Sequence, residues 1–198
     1  MDKKGILMVI SGPSGAGKGT VVKELIKRDD FALSISATTR KPREGEKDKV
    51  DYFFKSEEEF KKMIENGELL EWASFVDHFY GTPKAYVLSM IEKGKNVVLE
   101  IEVQGAEQIK KLYPETVRVF LLPPSREELE KRLAGRGTED AQTISKRIAR
   151  ASEEIKLVDK YDYVVINDEV EKAVDRISKI VDVCKMEAKR YSDFAAKF

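Results

Sequence analysis

The sequence predicts an α/β fold in which a parallel sheet is flanked by helices. Three observations carry that reading. Short apolar runs, continuous in Ile6-Leu7-Met8-Val9-Ile10 and repeated in Val97-Val98-Leu99, lack the alternation of a half-exposed strand, so they read as strands covered on both faces. Helical patterns separate these runs. A glycine-rich segment joins the first run to the first helix. The 198 residues suit one domain, and a hydrophobic content of 41% is enough for a sizeable core.

The elements follow in order. After the first strand, a helix is predicted over 18–28, and Phe31 opens a second strand over 31–35. Residues 36–88 differ in character. They contain a basic turn around Arg40-Lys41-Pro42-Arg43, a short strand at Tyr52-Phe53-Phe54 and a small helix. Ser56 and Glu59 have capping-box spacing at the start of that helix, and Asn66-Gly67 ends it. A strand is predicted over 69–75, with Trp72 as a core residue. Thr82-Pro83 then starts a helix, with Thr82 as its cap, and Gly94 stops it. Buried strands are predicted over 97–101 and 117–122. Ser125 and Glu128 repeat the capping-box spacing before a helix running to Ala134, and Gly135-Arg136-Gly137 interrupts the chain there. A long helix over 140–157, a strand over 163–166 and a final helix over 170–189 complete the pattern. The organisation is a core of 1–35 and 89–198, an insertion at 36–88 and a small lid at about 135–141.

Composition excludes several functions. Lys+Arg and Asp+Glu both number 36, so the basic excess of a nucleic-acid-coating protein is missing. The single cysteine, Cys184, permits no internal disulfide and fits a reducing cytoplasm. The apolar run at the N-terminus is too short for a signal core, and no stretch has the roughly 20 apolar residues of a membrane span. The single histidine, His78, makes a histidine metal site or a Ser-His-Asp triad improbable.

The strongest motif is Gly12-Pro13-Ser14-Gly15-Ala16-Gly17-Lys18-Gly19-Thr20, set between a buried strand and a helix. This is the context of a P-loop, where converging backbone N–H groups and a helix N-terminus cradle phosphate. Lys18 is placed to reach β- and γ-phosphates. The Ser or Thr that usually follows the lysine is replaced by Gly19. The hydroxyl comes one residue later at Thr20, within reach of an α-phosphate or a metal-bound water. Arg40, Arg43, Arg132, Arg136 and Arg147 lie in segments apart from the loop. That layout suits a nucleoside monophosphate kinase, which must align two anionic substrates and offset their repulsion.

Several collinear motifs resemble the guanylate kinase family, over most of the chain. They are Ser11 through Thr20, Ser36-Ala37-Thr38-Thr39-Arg40-Lys41-Pro42-Arg43, Asp51-Tyr52, Glu71-Trp72-Ala73, Tyr80-Gly81-Thr82, Gln104-Gly105, Pro123-Pro124-Ser125, Gly135-Arg136-Gly137-Thr138 and Asn167-Asp168. The resemblance implies a P-loop NTPase-type fold in which 36–88 binds GMP. It also implies roles. Arg40, Arg43, Tyr52 and Tyr80 would hold the GMP phosphate, while Ser36, Glu71 and Thr82 would read the guanine. Lys18, Arg40, Arg132, Arg136 and Arg147 would act on the transferring phosphate. Arg136 and Asn167 would lie near the adenine of ATP.

Independent chemistry supports guanine. Its N1–H and N2 amine are adjacent donors that one carboxylate accepts together, whereas adenine presents an acceptor at N1. Glu71 is the candidate reader. Glu100 and Glu102, at the end of a buried strand where ligands of open α/β sheets bind, are candidates for GMP and for a metal-bound water. The family has aspartate at the second of these positions. Thr20 and Glu100 are the metal candidates.

The expected activity is direct in-line transfer from Mg2+-ATP to GMP, with dGMP as a further acceptor. The insertion and lid would close to exclude water. A monomer or homodimer in the cytoplasm, with no nucleic acid or membrane partner, is expected. The alternatives are a kinase of another nucleoside monophosphate and a non-catalytic phosphopeptide-binding module.

Overall fold

A computed structural model describes residues 4–75, 77–134 and 141–197. The described strands are β1 (Leu7–Ser11), β2 (Phe31–Leu33), β3 (Ala37–Thr38), β4 (Phe53–Phe54), β5 (Leu69–Phe75), β6 (His78–Pro83), β7 (Asn96–Glu100), β8 (Val117–Leu122) and β9 (Tyr163–Ile166). The helices are α1 (Lys18–Leu25), α2 (Glu57–Glu65), α3 (Lys84–Glu92), α4 (Val103–Leu112), α5 (Arg126–Ala134), α6 (Ala141–Ile155) and α7 (Val170–Lys185). The chain forms two compact units: 1–9 with 29–116, and 10–28 with 117–198. The fold is the predicted parallel sheet flanked by helices.

In the first unit the parallel strands run in the order β2-β7-β1. Phe31, Ala32 and Leu33 face Asn96, Val97 and Val98 in register. Val97, Val98 and Leu99 are fully or almost fully buried, as a strand covered on both faces requires. A separate four-stranded sheet has the order β4-β3-β6-β5. Here β6 runs antiparallel to both β3 and β5, and a register shift between Leu69 and Trp72 interrupts the β5–β6 ladder. Phe60 of α2 is buried beneath this sheet and stacks on Phe79, with centroids 5.5 Å apart.

Helix α2 begins as its sequence dictates. The Ser56 hydroxyl accepts from the Glu59 N–H, and the Glu59 carboxylate accepts from the Ser56 N–H. The start of α3 differs from expectation. Thr82 does not cap it. Thr82 is the penultimate residue of β6, fully buried, and its hydroxyl is committed to Glu71; Pro83 stands at the cap position and makes no side-chain cap bond. Helix α4 carried no sequence expectation. It buries only Gly105, Ala106 and Ile109, too narrow a stripe to announce itself. Trp72 is 40% exposed rather than core, and its ring meets Phe79 edge-on.

In the second unit the strands run β1-β8-β9, with β8 and β9 parallel. Helix α7 turns Ala173, Val174, Ile177, Val181 and Cys184 inward, a helical stripe. Leu129 and Leu133 of α5 pack on Ala151, Ile144 and Ile148 of α6. Arg28 donates to Ser178 at 2.7 Å and pairs with Asp175, tying the chain beyond α1 to α7.

Candidate functional site

In the second unit the apolar strand β1 ends at Ser11 and the chain turns at once into α1. Two glycines make that turn possible. A Cβ on Gly12 would sit 2.1 Å from the Leu121 carbonyl oxygen, so the loop backbone lies directly against β8. Gly17, at the cap of α1, has φ 88, and a Cβ there would lie 2.4 Å from the Asn167 amide nitrogen. The turn is closed by the Ala16 N–H donating to the Pro13 carbonyl at 3.0 Å.

Three of the side chains predicted to act on the transferring phosphate, Lys18, Arg132 and Arg147, gather at this turn, joined by Asn167. Lys18 Nζ donates to the Gly12 carbonyl at 2.5 Å and to the Pro13 carbonyl at 3.4 Å. Arg147 of α6 donates from Nη2 to Ser14 Oγ at 2.6 Å. Asn167, just past β9 and 3% exposed, donates from Nδ2 to the Ala16 carbonyl at 2.8 Å. Arg132 of α5 donates to Glu128 at 2.9 Å and to the Asn167 carbonyl at 3.1 Å. Lys18, Arg132, Arg147 and Asn167 are therefore held in one connected set around the loop. The capping box expected at Ser125 is half formed. The Glu128 N–H donates to Ser125 Oγ at 3.2 Å, while the Glu128 carboxylate turns to Arg132 instead. Gly19 and Thr20 face outward on the first turn of α1. Arg136 lies outside the described residues.

In the first unit, Arg40 follows β3 and places its guanidinium 5.3 Å from the centroid of the Tyr52 ring. The rings of Tyr52 and Tyr80 meet edge-on at 6.3 Å. Arg40, Tyr52 and Tyr80 thus form one cluster with a cation at its centre. Burial pushes the Tyr52 phenol up from its ordinary range. Arg43 is exposed, and its backbone N–H donates to Glu46 Oε2 at 2.7 Å. Sequence reasoning missed Glu46. Its Oε1 accepts from Arg40 Nη2 at 2.8 Å, and that bond holds the carboxyl below the usual carboxylate range. The signal was available: an acid three residues beyond Arg43 in a tight turn can reach back to both arginines.

Glu71 lies within the register shift of β5, where a bulge re-aims a side chain. It is 7% exposed, and burial pushes its carboxyl up from the ordinary range. The Thr82 hydroxyl donates to its Oε1 at 2.7 Å, the residue on β6 predicted to share its task. Ser36 precedes β3 and is half-buried. Glu100 is exposed at the end of β7. Glu102 is not on that strand; it is the N-cap residue of α4 and is also exposed. Among the described residues, no three His, Cys, Asp or Glu side chains come together as a metal cluster.

Two kinds of chemistry are thus prepared. One unit holds a lysine and two arginines about a glycine-rich turn at the start of a helix. The other holds an arginine over the ring of Tyr52, with Tyr80 beside it, and a buried carboxylate.

Known proteins resemble the chain over nearly its whole length. The family model described as guanylate kinase matches residues 4–183. A guanylate kinase of Caldanaerobacter subterraneus subsp. tengcongensis is 56% identical over 196 residues, covering 98% of this chain and 95% of that protein. One from Clostridioides difficile is 55% identical over 192 residues, covering 96% and 94%. The crystal structure of guanylate kinase from Anaplasma phagocytophilum superimposes with a TM-score of 0.76 at 34% identity, over 93% of this chain and 88% of that one.

Proposed function

The chain belongs to the guanylate kinase family, and on that premise we propose how its residues divide the transfer of phosphate from ATP to GMP. The family reaction makes this an ATP-dependent phosphotransferase with ATP and GMP as substrates. The observation that carries the assignment of roles is Glu71, a buried carboxylate already bonded on one oxygen by Thr82.

Residues 36–88 form the GMP-binding insertion. Glu71 accepts N1–H and the N2 amine of guanine, with Thr82 and Ser36 beside it. Arg40, Arg43, Tyr52 and Tyr80 hold the GMP phosphate. Arg40 is kept charged and oriented by Glu46, which a phosphate dianion would displace as its stronger partner. The turn from Gly12 to Thr20 holds the ATP phosphates. Lys18 exchanges its loop carbonyls for phosphate oxygens, and Arg132 and Arg147 neutralise charge on the phosphoryl group in flight. Arg136 of the lid joins them. Asn167 steadies the loop through Ala16, leaving its amide oxygen for adenine.

The transfer is a direct in-line displacement. A GMP phosphate oxygen attacks the γ-phosphorus, and its bond forms as the bond to the β-bridging oxygen breaks, giving GDP and ADP. The attacking oxygen is already anionic, so no general base is needed. Positioning and charge neutralisation carry the rate.

The donors present suit Mg2+. Thr20 and Glu100 offer a hydroxyl and a carboxylate, both hard oxygens of the kind Mg2+ prefers. Thr20 and Glu100 are each a candidate to reach Mg2+ through water, Glu102 serving GMP. The ion would supply charge neutralisation on the β- and γ-phosphate oxygens when bound. dGMP is an acceptor as well. The protein is cytoplasmic, a reading supported by Cys184 as the lone thiol and by the lack, among the described residues, of any helix long and apolar enough to cross a membrane.

The test is ADP release from Mg2+-ATP with GMP, AMP, CMP and UMP offered separately, on the natural chain and on Lys18→Ala. Turnover with GMP, lost in the variant while the fold persists, is expected. Near-normal turnover in Lys18→Ala would overturn the role given to Lys18, and turnover with AMP alone would overturn the role given to Glu71.

A further inference from the structure

Gly105 is the third residue of α4 and is buried. Glycine inside a helix costs stability relative to alanine. Nothing in its backbone asks for glycine, since Gly105 is not among the residues with positive φ. What asks for it is space. A Cβ there would lie 2.9 Å from Glu71 Oε2, 3.4 Å from Glu71 Cδ and 3.3 Å from Ile101 Cδ1. The Glu71 carboxylate fills the volume that any other residue at 105 would occupy. It lies over the first turn of α4, where the positive end of the helix favours a negative charge.

One turn further on the same face, Gln108 grips the backbone beside that carboxylate. Its Oε1 accepts from the Trp72 N–H at 3.4 Å, and its Nε2 donates to the Trp72 carbonyl at 3.2 Å. β5 is the outer strand of its sheet, so Trp72 has no strand on that side to pair with. The Gln108 amide takes both groups as a neighbouring strand would. It does so immediately after the irregularity that turns Glu71 out of register.

We propose that α4 is the device that sets the guanine reader: Gly105 and Gln108 are positioning residues, the first clearing the place of the Glu71 carboxylate and the second fixing the peptide next to it. The inference rests on Glu71 as the reader of guanine. Specificity for the 2-amino group then depends on α4, through the space left at Gly105 and the Gln108 amide on Trp72.

The test compares the natural chain with Gly105→Ala, Gln108→Ala and Glu71→Gln. For each, kcat and KM are measured for GMP, for IMP, which is the same base without the 2-amino group, and for ATP. Alanine is a better helix former than glycine or glutamine, so both α4 variants are expected to fold, which thermal unfolding verifies. Gly105→Ala is expected to raise the KM for GMP about tenfold and to cut the preference for GMP over IMP by a similar factor, as expected for one weakened charge-assisted hydrogen bond. Gln108→Ala is expected to change both in the same direction by about threefold, as for loss of a neutral pair. KM for ATP should stay as it is. If Glu71→Gln lowers the GMP-over-IMP preference while both α4 variants keep it, the inference is wrong and Glu71 remains the reader. A uniform loss in kcat for both acceptors, with the preference intact, also overturns it, because packing alone would do that. If Glu71→Gln itself leaves the preference unchanged, the reading of Glu71 fails, and this inference with it.

Discussion

Replacing Glu71 by Gln keeps its size and removes its charge. In the natural chain Oε1 already accepts from Thr82 at 2.7 Å, and the carboxylate retains lone pairs for the two guanine donors. Gln offers one oxygen and one amide nitrogen, so one guanine N–H must face another donor. At a position 7% exposed, water cannot repair that mismatch. A hydrogen bond to a charged group contributes roughly 1.5–3 kcal/mol, which corresponds to about 10- to 150-fold in KM for GMP. ATP should bind as before.

The pH dependence gives the sign. Burial raises the Glu71 carboxyl in the folded chain, and only the ionised form accepts both guanine donors. KM for GMP should therefore fall as pH rises through that raised value. The GMP phosphate itself titrates near about pH 6, so the profile is read as the ratio of the natural chain to Glu71→Gln at each pH, which cancels it. Stability without nucleotide should run the opposite way. Between the ordinary carboxylate value and the raised one, the folded chain binds more protons than the unfolded one, so stability declines as pH rises through that window. Glu71→Gln should remove this decline. A steady-state ADP-release assay and urea unfolding across the window measure the two effects. A Glu71→Gln enzyme with the natural KM for GMP, or with the natural slope of stability against pH, would refute the reasoning.

Three further outcomes are expected. Gly17→Ala combines a φ of 88 with a Cβ 2.4 Å from Asn167 Nδ2, so it should lower stability by about 1–3 kcal/mol and raise KM for ATP more than KM for GMP; equal effects on the two substrates would count against a local loop distortion. Asn167→Ala leaves the Ala16 carbonyl without its side-chain donor and should raise KM for ATP by about three- to tenfold, measured at saturating GMP, with GMP affinity unchanged. Ser56→Ala breaks the capping box of α2 and should cost about 1 kcal/mol in denaturant unfolding with kcat intact; a cost of zero would mean that α2 is held by Phe60 packing alone.

Much of this molecule was legible in one dimension. The glycine-rich turn between β1 and α1 could be read because strand, glycines and helix start are all written within a few neighbouring residues. The capping box at Ser56 and Glu59 and the strand at Val117 were likewise local patterns. Three features were not. Glu46 lies in a stretch of alternating charges, where nothing in composition separates a counter-ion from a solvated residue. Thr82 looked like a helix cap beside Pro83, but its hydroxyl is claimed by a carboxylate eleven residues away, and burial decides that contest. Trp72 looked like core because it is large and apolar, yet it stands on an outer strand.

What the sequence by itself determined is the chemistry and the class of fold. Strand, glycine turn, lysine and helix are contiguous, and the period of apolar residues requires a covered parallel sheet. Only the tertiary structure decided which groups meet. It set Arg132, Arg147 and Asn167 on the loop, placed Tyr52 and Tyr80 around Arg40, and brought α4 against Glu71. The physical reason is range. Propensity, capping and turn chemistry act over a few residues, whereas close packing and the pairing of buried polar groups join residues far apart in the chain, as when the missing side chain of Gly105 leaves room for the carboxylate of Glu71.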